Sequence, residues 1–120
     1  FLKISKVRFL LKQKEKHPKP QPEFKKILQL AKDLTISNGS QLYFVYLPDY
    51  NRYNLKNYNT HYFIVKNIVN QLDIPFIDIH SELFKNEENP LKLFPFELYG
   101  HYNLDGYRKV AEKIYKLTND

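Results

Sequence analysis

Leu42-Tyr43-Phe44-Val45-Tyr46-Leu47, closed by Pro48, is an unbroken run of six apolar, β-favouring residues. It lacks the polar alternation of a half-exposed strand, so it reads as a strand covered on both faces, as in a parallel sheet. Upstream, Glu23 to Ser37 carries Phe24, Ile27, Leu28, Leu30, Ala31 and Leu34 at helical spacing, and Asn38-Gly39 supplies a C-terminal stop. Downstream, residues 49–59 form a polar loop rich in Tyr and Asn. Thr60 is placed to cap a helix that runs to Leu72, with Phe63, Ile64, Ile68 and Leu72 inward. After Asp73-Ile74-Pro75, Phe76-Ile77-Asp78-Ile79 reads as a second short strand. His80–Lys85 reads as one helical turn and Pro90–Phe96 as an irregular apolar loop. Residues 104–117 read as the last helix, with Leu104, Tyr107, Val110, Ala111, Ile114 and Leu117 inward.

This order is one βαβ unit with a flanking helix on either side, and its fold class is α/β. Two parallel strands cannot cover their own faces and leave two open edges. The chain therefore reads as the C-terminal portion of a larger domain, or as one completed by another chain. Before it, residues 2–16 (Leu2, Ile4, Val7, Leu10, Leu11) have helical spacing with lysines on the other face. His17-Pro18-Lys19-Pro20-Gln21-Pro22 follows as a stiff, extended connector. The division is thus a basic helix and connector over 1–22 and an α/β unit over 23–120.

A length of 120 residues suits one domain, and 42% hydrophobic with 16% aromatic residues is enough to build a core. No apolar stretch is long enough to span a membrane, and the first segment lacks the apolar run of a signal peptide. The absence of cysteine excludes disulfides, thiolate metal sites and a cysteine nucleophile. The net charge of +6 is local: residues 1–20 hold seven Lys/Arg against one Glu, whereas residues 21–120 hold twelve of each sign. A neutral body argues against nucleic acid as partner. The alternative that remains is a non-catalytic binding module built on the basic first segment and the Tyr-rich loop, holding an anionic surface by phosphate contacts and stacking. A flavodoxin- or receiver-like fragment without catalysis is disfavoured: Gly39, Gly100 and Gly106 are the only glycines, so no Gly-rich loop cradles a flavin or nucleotide phosphate, and the acidic cluster of a receiver is missing.

In open α/β sheets, sites form beyond the carboxyl ends of the strands. Two segments qualify, Pro48–Asn59 and His80–Asn103. The second runs into Gly100-His101-Tyr102-Asn103-Leu104-Asp105-Gly106-Tyr107-Arg108. His101 precedes a helix that Asn103 is placed to cap, and an imidazole held there can act as a general base at neutral pH. The pattern Gly-His-x-Asn-x-x-Gly-Tyr-x-x-Val-Ala-Glu, about 20 residues after a Phe-Ile-Asp-Ile strand, resembles the last block of the SGNH (GDSL-type) hydrolases. Leu-Tyr-Phe-Val-Tyr-Leu-Pro is similar to their penultimate core strand. The resemblance covers residues 24–117. It implies a three-layer α/β/α sandwich with flavodoxin-like parallel strands. It further implies ester hydrolysis, as in esterases and deacetylases, with no cofactor and no metal, and His101 as the base that takes a serine proton. The substrate class would be an acyl ester, small or carried on a glycan or lipid.

Two departures qualify that implication. The Gly-Asp-Ser nucleophile block is missing: Ser5, Ser37, Ser40 and Ser81 have no such surroundings, and Ser81 reads as a helix cap. The family's oxyanion blocks are missing too. They would belong to residues before Phe1, and this chain alone is expected to show little or no esterase activity. The family also places an Asp three residues before the His, where Leu98 stands. Glu97 serves in its place if the loop bulges, or else a backbone carbonyl accepts the imidazole N–H. Asp49, Tyr50, Arg52 and Tyr53 are candidates for a substrate cleft beside the His loop. Tyr99, Tyr102 and Tyr107 are expected to pack that loop on the last helix. His80, Glu82 and His101 lack metal-ligand spacing, and Asp78 is expected to bond neighbouring backbone amides.

Overall fold

The computed structural model describes residues 19–54 and 61–119. The expected helix over 2–16, the start of the 17–22 connector and the Thr60 cap lie outside the described residues.

Helix α1 spans Glu23–Ser37. It ends as the Asn38-Gly39 pair requires. Gly39 adopts φ +71°, its amide donates to Ile36 O, and the Ser40 amide donates to Thr35 O. That double bond pattern is a Schellman stop, and the left-handed position is the one glycine tolerates without strain. Strand β1 is Phe44–Tyr46, shorter than the six-residue run, and Leu47 is already half exposed. Helix α2, Asn51–Asn54, is a short turn inside what reads as loop. Helix α3 spans Tyr62–Gln71, β2 spans Phe76–Asp78, and α4 is the turn Ile79–Glu82. Three 3-10 turns, Phe84–Asn86, Pro90–Leu93 and Pro95–Glu97, give the irregular stretch its shape. Helix α5, Leu104–Thr118, closes the chain.

The strands pair in parallel, Phe44 opposite Phe76, Val45 opposite Ile77 and Tyr46 opposite Asp78. Side chains alternate across a strand, so this register sorts the core into two clusters. Phe44 and Phe76 stack at 5.5 Å and join Val69, Leu72 and Ile74 with Leu28, Val65 and Ile68 from the helices on that face. Val45 and Ile77 face the other way, toward Ile79, Phe84, Leu93, Phe94, Tyr102, Val110 and Ile114. The observed architecture is a mixed helix–strand unit built on a two-stranded parallel sheet.

The buried helix faces are narrower than the sequence pattern indicates. On α1, Ile27, Leu30 and Leu34 are about 60% exposed or more, while Phe24, Leu28 and Ala31 make the inward stripe. On α3, Phe63 and Ile64 point outward and Val65, Ile68, Val69 and Leu72 inward. On α5, Leu104 is 87% exposed, and Tyr107, Ala111 and Leu117 are exposed as well. Gly106, Val110 and Ile114 do the packing. Two adjacent apolar stripes on one helix were merged by periodicity, and a two-stranded sheet has area for only one of them.

Candidate active site

His101 sits in a loop whose shape is set by four local devices. Phe96 and Glu97 both take left-handed backbone conformations, φ 52° and 57°, and so bend the chain sharply without glycine. Such conformations cost non-glycine residues roughly 1 kcal/mol or more each, a cost the surrounding packing must offset. Asn103 then fastens the loop to α5. Its Oδ1 accepts from the Gly106 amide at 2.9 Å, its Nδ2 donates to Lys92 O at 2.7 Å, and its own amide donates to Leu93 O at 2.9 Å. Gly106 lets α5 approach closely, since a Cβ there would lie 2.6 Å from Leu93 O. Tyr102, buried among Phe84, Phe94 and Tyr107, donates its hydroxyl to Pro48 O.

These constraints leave His101 exposed on the wall of a cavity of about 200 Å³ lined by Leu47, Pro48, Asp49, Phe94, Gly100, His101, Tyr102 and Tyr107. One wall is the segment leaving β1 and the other is the loop opening α5, so the cavity lies beyond the carboxyl end of β1. No serine lines it among the described residues. Ser37 and Ser40 sit at the α1 end, before β1. Ser81 lies within α4 and donates to Asp78 Oδ2 at 2.9 Å; the cap of α4 is Asp78, not Ser81, because the Asp78 side chain accepts the His80 amide.

Of the four cleft candidates, Asp49 alone lines this cavity. Tyr50 is buried, with its hydroxyl donated to Glu97 O at 3.1 Å and its ring against Phe94 and Tyr99. Tyr53 stacks on Phe84 at 5.2 Å. The Arg52 guanidinium lies 5.9 Å from the centre of the Tyr62 ring. Both tyrosines turn inward because α2, the turn unforeseen within this loop, places them toward the core. Glu97 does lie in a bulge, but its carboxylate accepts from Asn89 Nδ2 at 2.8 Å. Tyr99 is exposed and sets its ring edge-on against Tyr50.

A second polar group gathers at the end of β2. Asp78 Oδ2 accepts from Tyr62 and Ser81, and Asp78 Oδ1 accepts from the His80 amide at 3.0 Å. Desolvation is the largest single influence on this carboxyl and acts upward, yet the donors from Tyr62, Ser81 and the backbone together hold it below its ordinary range. Burial, then the hydrogen bond to Asp78, pushes the Tyr62 phenol up to about 12. His80 Nδ1 lies 3.0 Å from the Tyr53 hydroxyl, and desolvation followed by Arg52 lowers the imidazole below its ordinary value. Burial pushes the Tyr53 phenol far up, so it stays protonated and pairs with Nδ1 in either tautomer, donating to the bare nitrogen or accepting from its N–H. The arrangement is self-satisfied: each member is a partner to another. Among the described residues no group of three His, Asp or Glu is placed to hold a metal ion.

No family model, curated protein or solved structure matches the chain. No described helix is long and apolar enough to cross a membrane.

Proposed function

We propose that this chain is the C-terminal half of an SGNH-type serine hydrolase domain acting on an acyl ester, in which His101 is the general base. The observation that carries the reading is the placement of His101. It opens the last helix, beyond the carboxyl end of a parallel strand, on a cavity wall shared with the loop that leaves β1. The full α/β/α sandwich belongs to this proposal, with further strands supplied by residues upstream or by another chain. The exposed Ile27, Leu30 and Leu34 stripe on α1 supports it, because it is apolar surface that a wider sheet and its helices would cover.

In such a site the serine hydroxyl proton passes to His101 as the oxygen attacks the acyl carbon, and the imidazolium returns that proton to the departing alcohol. Water then repeats the cycle on the acyl-enzyme. The test is hydrolysis of a short-chain acyl ester by a polypeptide that carries this chain together with the serine-bearing half. His101→Ala lowers kcat about a hundredfold or more, the span of a positioned general base. Undiminished hydrolysis in that variant overturns the reading.

A further inference from the structure

Residues 95–101 are exposed without interruption, and three large apolar side chains stand among them. Phe96 is 94% exposed, Tyr99 76% and Leu98 62%. Exposed apolar residues are ordinary singly, but grouped ones mark a contact surface. This group is held in place. Phe96 keeps a left-handed φ of 52°, a conformation that costs a non-glycine residue energy, and its ring gains no burial in return. The backbone beneath is fastened. Glu97 O accepts the Tyr50 hydroxyl at 3.1 Å, and the Leu98 amide donates to Pro95 O at 2.9 Å. The one acid of the stretch, Glu97, has its carboxylate tied to Asn89. A loop fixed in this way loses little freedom when it binds.

We propose that this loop docks the chain on an anionic lipid bilayer by placing Phe96, Leu98 and Tyr99 in the interface, alongside the basic residues 1–20. The inference stands apart from the hydrolase reading and needs no serine. Position is the first argument. Tyr50, just past Pro48, touches both Glu97 and Tyr99, so the loop projects beyond the end of β1. Further strands and helices would widen the sheet or cover its faces, and neither covers its end. Side-chain type is the second, because Phe, Leu and Tyr on a rigid support suit the boundary between headgroups and acyl chains. Charge is the third. The net charge of +6 comes wholly from residues 1–20, where Lys and Arg are interspersed with Leu2, Ile4, Val7, Leu10 and Leu11. Such a composition is drawn to anionic lipid, and stable anchoring takes two signals, here a basic segment and an apolar loop. The Tyr-rich loop is not the contact, since Tyr50 and Tyr53 turn inward.

The test is co-sedimentation of the 120-residue chain with vesicles of phosphatidylcholine, with and without phosphatidylglycerol, at low and high salt. The chain binds the mixed vesicles, and added salt or omission of phosphatidylglycerol weakens binding. Phe96→Asn suits the left-handed backbone and Leu98→Gln changes an exposed position, so both variants keep the wild-type urea midpoint. Each lowers the partition coefficient about tenfold, the scale of withdrawing one large apolar side chain from the interface. Leu30→Gln, on the exposed stripe of α1, leaves it unchanged. If Phe96→Asn shifts the urea midpoint, Leu98→Gln decides alone. Failure to bind mixed vesicles, equal binding to phosphatidylcholine alone, unchanged partition in the loop variants, or an equal loss in Leu30→Gln overturns the proposal. So does self-association of the lipid-free chain that the loop variants abolish, which would make a second copy the occupant.

Discussion

The Tyr102 hydroxyl donates to the carbonyl of Pro48, joining the residue after His101 to the residue before Asp49. One buried bond therefore sets the separation of the two sides of the cavity. Its energetic weight comes from burial, since Pro48 and Tyr102 are both buried.

Tyr102→Phe retains the ring contacts with Phe84, Phe94 and Tyr107 and removes only the donor. The Pro48 carbonyl is left buried and unpaired, at a cost of about 1–3 kcal/mol. Urea unfolding should show a lower midpoint at unchanged slope. A midpoint equal to wild type would mean that the two loops are held apart from this bond.

Gly106→Ala sets two effects against each other. Alanine in a helix gains about 1 kcal/mol over glycine. Against that, the new methyl meets the Leu93 carbonyl at 2.6 Å, and that atom is backbone beside a fully buried side chain. Overpacking of this kind costs about 1–3 kcal/mol, so the clash prevails and thermal unfolding occurs earlier. Gly100→Ala is the control: nothing lies within 4 Å of its added methyl, and stability should stay within about 0.5 kcal/mol.

The elements most legible in the sequence were those with local causes. The Asn38-Gly39 stop, the Asn103 cap and the parallel pairing of two short apolar runs follow from backbone chemistry that a few residues decide. What escaped was set by distant partners. Ile27 and Leu28 are chemically alike, and only the position of α3 makes Leu28 the inward one. The inward turn of Tyr50 and Tyr53 needed α2, a turn whose residues, Asn51-Arg52-Tyr53-Asn54, carry no helical periodicity. Asp49 reads in the sequence as one of four cleft candidates, and nothing local singles it out as the one on the His101 cavity. Its place opposite His101 depends on Tyr102 reaching Pro48 across 54 positions of sequence.

Acid stability should report Asp78. Its carboxyl is held below the ordinary value of 3.8, so it contributes stability that is complete above that value and is lost as pH falls through the folded-state one. Asp78→Asn removes the charged acceptor of Tyr62 and Ser81, destabilises the fold at neutral pH, and flattens the loss of stability below pH 3.8 relative to wild type. Unfolding midpoints on either side of that pH, for both proteins, measure the difference. Parallel curves would show that the donors hold Asp78 no better than water does.

His80 gives a second pH dependence in a different window. Desolvation and Arg52 lower its imidazole below 6.5, so the folded state favours the neutral ring and the unfolded chain takes up the proton first. The associated stability is present above pH 6.5 and is lost as pH falls through the folded-state value. The sign agrees with the local chemistry: the charged ring would have to be held in a partly buried place and beside the Arg52 charge. His80→Gln should therefore lose less stability than wild type between about pH 7 and about pH 5, where a histidine of ordinary pKa titrates. Urea midpoints at the two pH values test this, and NMR of the ring in the folded chain locates the midpoint itself. A folded-state midpoint at or above 6.5 would reverse the sign and show that the Tyr53 contact leaves the charged ring unopposed.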